Sequence, residues 1–223
     1  MDYFKFPVFP WNIQKVIPEI EHIEKVINSK KGQKKVFPES HLVFRAFELC
    51  PKEKVRVVIF GQDPYPTEYK GKPIANGLAF STPRELNCIT TSLKNIYTEL
   101  KNCYPELKIP NHGDLSSWCS EGVLLLNASL TVFKDEPRSH YNLWTGFIYK
   151  IISEICKNSQ PIVFFLWGRD AQSLEDAIVG NHVIFKAVHP ASRDGKFIKN
   201  KHFLLANDYF IKNGQKTISW EIR

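Results

Sequence analysis

The chain is 223 residues long, 43% hydrophobic and 24% charged, a size and balance that suit one folded domain with a sizeable core. Thirty Lys and Arg against 23 Asp and Glu leave a net charge of +7, which suits a polyanionic partner without naming one. No apolar run approaches the roughly 18 residues that a membrane helix needs. Residues 1–11 carry no apolar signal core, so the expected location is the cytoplasm, or the nucleus for a eukaryotic or viral source.

Residues 1–36 read as an accessory helical segment, because apolar and charged residues alternate at helical spacing between Ile13 and Ile27. The Lys-Lys-Gly-Gln-Lys-Lys stretch at 30–35 reads as a solvated loop. A buried strand is predicted at 55–60, a helix at 91–101, a strand at 123–126 and a helix at 144–157. Next come a strand at 162–167, a helix at 171–179, a strand at 183–188 and a helix at 202–212. Each strand is a short continuous apolar run, as in sheets covered on both faces. The alternation gives an α/β fold: a single domain, 1–223, with a central, mostly parallel four-stranded sheet and helices on both faces.

Cys50, Cys88, Cys103, Cys119 and Cys156 are scattered, with no C-x-x-C pair and no His at metal-ligand spacing. No metal or other cofactor is expected from them, and isolated thiols suit a reducing compartment.

The segments just beyond the strands carry the chemistry. Gly61-Gln62-Asp63-Pro64-Tyr65-Pro66 comes after the first strand, and Asn127-Ala128-Ser129 after the second. Gly168-Arg169-Asp170 comes after the third, and His189-Pro190-Ala191-Ser192 after the fourth. Open parallel sheets bind ligands beyond the carboxyl ends of their strands. An acid, an amide, a glycine turn and an imidazole thus converge on one rim, which marks an active site.

The segments VVIFGQDPYP, GLAFS, HGDLSSW, GVLLLNASLTV, VFFLWG and HPASRD occur in order across about residues 37–220. As a set they resemble the uracil-DNA glycosylase family. The resemblance implies a DNA-repair hydrolase that flips deoxyuridine out of single- or double-stranded DNA and hydrolyses its N-glycosidic bond. In that reaction the sugar becomes cationic while uracil leaves as an anion, so negative charge belongs near the sugar and donors near the developing oxyanion. By resemblance Asp63 positions water and stabilises the sugar, and His189 donates a hydrogen bond to uracil O2. Asn127 reads uracil N3–H and O4 with one amide, and Phe80 stacks on the base. Tyr65 crowds C5 and turns thymine away, while Gln62 adds a main-chain contact. Ser92, Gly168, Ser192 and Arg193 stand where the family holds the DNA backbone. Taken singly, each has a plainer use: an Asp after a strand caps a turn, and a Phe in an apolar run is core.

Four departures from the family pattern stand out. Pro66 succeeds Tyr65 where most members have His, and Asn87-Cys88-Ile89-Thr90-Thr91 replaces a proline-rich loop before Ser92. Arg169 succeeds Gly168 where Ser is common. The His-Pro-Ala-Ser-Arg-Asp loop lacks the family's leucine wedge and is similar to the poxviral branch. Either Arg193 or Phe197 then fills the gap left by the flipped base. Two other functions stay open: a DNA-clamping or processivity subunit, and a module that only binds uracil-DNA or a DNA-mimicking inhibitor protein. The partners in view are uracil-containing DNA, such an inhibitor and a replication factor, with the chain itself a monomer away from membranes.

Overall fold

A computed structural model describes residues 5–30 and 34–223; the centre of the lysine-rich stretch, 31–33, lies outside the described residues, as do 1–4. The first half runs through α1 (Ile17–Lys30), β1 (Val36–Phe37), α2 (Arg45–Leu49), β2 (Val57–Gly61), β3 (Glu68–Tyr69), β4 (Lys72–Pro73) and α3 (Thr91–Cys103). The second half adds α4 (Ser116–Ser120), β5 (Val123–Asn127), β6 (Val132–Phe133) and α5 (Tyr141–Ile155). It closes with β7 (Val163–Trp167), α6 (Arg169–Gln172), β8 (Val183–Ala187) and α7 (His202–Lys212).

The central sheet has the order β5-β2-β7-β8 with every neighbour parallel. All residues of β2, β5 and β7 are buried, so both faces are covered, and their unbroken Val, Ile, Leu and Phe runs reflect that. At the edge, β8 is only half-buried and exposes Lys186. The register sets Gly61 beside Asn127 and Phe60 beside Leu166, bringing the carboxyl ends of the strands level at one rim.

The helices arise from capping and periodicity. Thr90 caps α3 by accepting the Leu93 N–H at 3.3 Å, and Leu93, Ile96, Tyr97 and Leu100 form its buried stripe. In α5 the buried stripe is Trp144, Phe147, Ile148, Ile151, Ile152 and Ile155. The N-terminal residues Phe6, Phe9 and Trp11 and the α1 residues Ile20, Ile23 and Ile27 belong to the same core as the sheet. Phe9, for example, lies edge-on to Phe44, Phe47 and Phe147.

Some boundaries differ from the sequence expectation. The first strand begins at Val57 because Val55 closes a 3₁₀ turn, Lys52–Lys54. α5 begins at Tyr141, one turn before its apolar periodicity starts at Trp144. The helix expected at 171–179 is instead the short α6 and then a 3₁₀ turn, Glu175–Ala177. There the Ser173 hydroxyl donates back to the Asp170 carbonyl at 2.8 Å, a side-chain bond that competes with helix propagation.

Candidate active site

A cavity of about 220 Å³ opens at the rim, lined by Gln62, Asp63, Tyr65, Phe80, Ser92, Asn127 and His189 together with Gly61, Pro64, Pro66 and Pro137. Larger cavities, of about 620, 610 and 400 Å³, lie elsewhere, beside Arg45 and Asn76, beside Arg56 and Phe210, and beside Tyr97 and Ile109. The first also has acids, Asn76 and His41, but none of these larger cavities is lined by residues at the carboxyl ends of the central strands, so position at the strand ends and not size selects the smaller one.

Asp63 lies just past β2. Its Oδ1 accepts the Gln62 amide at 2.9 Å, and its Oδ2 accepts the main-chain N–H of Arg138 at 2.6 Å. Burial raises its pKa above the ordinary carboxylate value, while those two hydrogen bonds oppose the rise. The result is a fixed carboxylate at the cavity wall.

Asn127 ends β5 and is only 6% exposed, yet its side-chain amide makes no hydrogen bond among the described residues. Its closest neighbour explains a glycine: a Cβ on Gly61 would sit 2.3 Å from Asn127 Oδ1. Phe80 is buried beside it and holds a left-handed backbone, φ 63°, uncommon for a bulky residue. The Tyr65 hydroxyl donates to the Phe80 carbonyl at 3.1 Å and bonds the Thr90 hydroxyl at 2.7 Å. This pins the Tyr65 ring and the Phe80 backbone to the capped start of α3.

His189 lies past the end of β8, with its ring 5.8 Å from that of Phe80. The Ala191 N–H donates to His189 Nδ1 at 3.1 Å, so that nitrogen is an acceptor and the ring proton sits on Nε2. Burial lowers the pKa, opposed by the Asp170 carboxylate. His189 therefore enters the cavity as a neutral N–H donor. Gly168 has φ 96°, and a Cβ there would meet His189 Cβ at 3.0 Å, so its bare backbone lets the imidazole approach.

Comparison with known proteins decides the family. The model for the "Uracil DNA glycosylase superfamily" matches residues 47–211.

The chain belongs to the uracil DNA glycosylase superfamily.

It is 39% identical to the uracil-DNA glycosylase of Amoebophilus asiaticus over 207 residues, 91% of each chain. It is 42% identical to that of Campylobacter fetus subsp. fetus over 200 residues, 88% of this chain and 83% of the other. The crystal structure of mimivirus uracil-DNA glycosylase superposes with a TM-score of 0.83 at 28% identity, covering 94% of this chain and 82% of that one. A mimivirus variant solved in complex with UGI superposes with a TM-score of 0.82 at 27% identity, covering 93% and 84%. The chain is accordingly a DNA-binding glycosylase that removes uracil in DNA repair.

The remaining expected residues of this glycosylase divide. Ser92 is buried and lines the cavity. Ser192 lies outside it, its hydroxyl donating to Asp194 Oδ1 at 2.8 Å. Arg193 and Arg169 are exposed. Phe197 is corrected: it is 1% exposed and packs edge-on against Trp167 at 5.0 Å, so it is core and leaves Arg193 as the gap-filling candidate. Sequence reasoning missed the β6–α5 loop, where Pro137 lines the cavity and Arg138 holds Asp63. It also missed Asn95, whose amide holds the Pro190 carbonyl at 2.6 Å. Among the described residues no cluster of three or more His, Cys, Asp or Glu suits a metal ion, and no helix is long and apolar enough to cross a membrane.

Proposed function

We propose that the glycosylase acts on deoxyuridine flipped out of single- or double-stranded DNA, with a distinct role for each residue of the rim. The C1′–N1 bond breaks and its electron pair leaves with uracil. A water oxygen then bonds C1′, with its proton passing by way of Asp63 towards solvent. The water-activating carboxylate is Asp63, whose fixed charge also faces the developing sugar cation. His189 Nε2–H donates to uracil O2 as negative charge gathers there. Asn127 pairs with N3–H and O4, Phe80 stacks on the ring, and Tyr65 blocks a C5 methyl. Gln62 holds Asp63 by its amide and presents its main chain to the base. Ser92, Gly168, Ser192 and Arg193 meet the DNA backbone, and Arg193 enters the vacated stack. The working unit is one monomeric domain, 1–223, with the N-terminal helix built into its core. A DNA-mimicking inhibitor fits this same rim, whereas nothing among the described residues favours a clamping or replication-factor role. A cytoplasmic or nuclear location suits a DNA-repair substrate.

The observation that carries this reading is the meeting of Asp63, Asn127 and His189 in one cavity. The experiment is single-turnover excision from a uracil-containing oligonucleotide in EDTA, with abasic sites cleaved by alkali. Asp63→Asn and His189→Leu should each lose several orders of magnitude in rate while still binding the oligonucleotide, since one charge-stabilising group contributes ~3 kcal/mol or more. Undiminished excision by either variant removes that residue from the mechanism.

A further inference from the structure

The β6–α5 loop has no assigned part in the reaction, yet it touches the Asp63 carboxylate. Its Arg138 has a left-handed backbone, φ 66°, which for a residue with a side chain is unfavourable and persists only where surroundings enforce it. The surroundings are visible. The Arg138 guanidinium pairs with Asp170 Oδ1 on α6 and lies over the Tyr141 ring, 4.6 Å from its centroid. Tyr141 is held in turn through the Ser173 hydroxyl at 3.1 Å. The anchored side chain thus fixes the peptide whose N–H donates to Asp63 Oδ2 at 2.6 Å.

Asp170 adds a second function to the pair. Its carboxylate is near enough to favour the protonated forms of both Asp63 and His189, and it sits at a rim that must receive phosphates. Among the described residues, the charged or titratable groups around Asp63 are Arg138 from the β6–α5 loop, Asp170 from α6, and, lining the same cavity, His189 beyond β8 and the phenol of Tyr65. Arg138 is the cation among them.

We infer that Arg138 is a positioning residue for the glycosylase reaction, its side chain strapped to Asp170 and Tyr141 so that its N–H orients Asp63 and its charge offsets Asp170 against DNA. The inference rests on Asp63 being the water-activating carboxylate. The two contributions separate experimentally, because one acts on the ionisation and aim of Asp63 and the other on DNA approach.

The test measures kcat and KM across pH 5–9 on a uracil-containing single-stranded oligonucleotide at fixed low salt. The proteins are wild type, Arg138→Ala, Arg138→Lys, Asp170→Asn and the Arg138→Ala/Asp170→Asn double variant, with thermal melts alongside. Arg138→Ala should lower kcat about tenfold, the effect of losing a well-aimed hydrogen bond to a charged group. Its acid limb should move to higher pH, since Asp63 loses a bond that favours the carboxylate. KM should also rise several-fold at low salt, where an uncompensated rim charge is least screened. In the double variant KM should return to near the wild-type value while the acid limb moves back only in part, because the Asp170 charge is gone but the lost hydrogen bond to Asp63 is not replaced. Arg138→Lys should restore KM more fully than kcat, because an ammonium keeps the charge but not the planar stack and paired geometry. Asp170→Asn alone should lower KM. A uniform fall in kcat at every pH with KM unchanged would show the side chain to be merely structural and overturn the inference. A KM that the double variant fails to restore overturns the charge-offset half. If Asp63→Asn is inactive while the Arg138 variants titrate like wild type, this inference alone fails; if Asp63→Asn is active, the proposed mechanism fails first.

Discussion

Gly61→Ala places one methyl group between two strands and reads out the geometry of the base-recognition site. The added Cβ would lie 2.3 Å from Asn127 Oδ1 and 3.1 Å from Ala79 Cβ, against about 3.5 Å for ordinary contact. Gly61 cannot retreat, because it is paired with Asn127 in the ladder and its carbonyl accepts the Ala128 N–H at 2.9 Å. The Asn127 amide must therefore swing by roughly 1 Å, a displacement that costs on the order of 100-fold when it misplaces a reacting group. Overpacking of this kind costs about 1–3 kcal/mol of stability, within the 5–15 kcal/mol of a typical domain, so the variant should fold. Gly146→Ala is the control: a Cβ there, in the middle of α5, meets nothing within 4 Å, and stability should hold or rise slightly. The assay is kcat/KM on a uracil oligonucleotide beside a thermal melt of each protein. A cooperatively folded Gly61→Ala with wild-type kcat/KM would refute the claim that Asn127 is aimed by contact with Gly61.

Acid should unfold the protein through two buried histidines that take no part in the cavity. Burial pushes His140 and His202 down to about 4 from 6.5, and His202 Nδ1 accepts the Trp167 indole N–H at 3.0 Å, a bond only the neutral ring can accept. The unfolded chain therefore binds more protons than the folded one between pH 6.5 and 4, and stability falls as pH drops through that window, by about 3 kcal/mol per histidine. Asp63, raised by burial, works weakly against this loss. Urea unfolding at pH 8, 6, 5 and 4 should show a plateau and then a steep decline that His202→Gln makes shallower; equal stability at pH 7 and 4.5 contradicts it. Tyr65→Ala should open space at C5 and admit thymine slowly, because the ring is held in place by Thr90 and the Phe80 carbonyl. Excision from matched uracil and thymine single strands tests this, and no gain on thymine with uracil activity intact refutes the steric account.

The four central strands were legible because residues buried on both faces leave an unbroken apolar run, and a two-residue period is not needed to see them. β1, β3, β4 and β6 were not, since each has two residues, too few for any pattern. The cavity residues were legible for a different reason: they sit directly past strand ends, so the topology alone delivers them to one rim. Arg138 and Asn95 act from a loop and a helix face, through a main-chain N–H in one case and on a main-chain carbonyl in the other. A main-chain group has no signature in sequence, which is why this supporting layer stayed hidden. Phe197 misled for the converse reason: an aromatic in an exposed-looking loop reads as a wedge until Trp167 is found against it.

The distribution of satisfied and unsatisfied groups explains how the cavity can be selective. Both oxygens of Asp63, the Tyr65 hydroxyl and His189 Nδ1 already have partners within the chain. Among the described residues the Asn127 amide and His189 Nε2 have none, and both line the cavity that opens at the rim. Cutting such a group off from water without a partner costs about 1–3 kcal/mol in proteins, and it is a bound base that cuts these groups off. A base that offers an acceptor to His189 and a matched donor and acceptor to Asn127 avoids that cost. A base with the wrong pattern incurs it and loses its own hydration as well. Discrimination then comes from groups held unpaired by their neighbours, and it weakens as soon as those neighbours, Gly61 above all, let the amide turn.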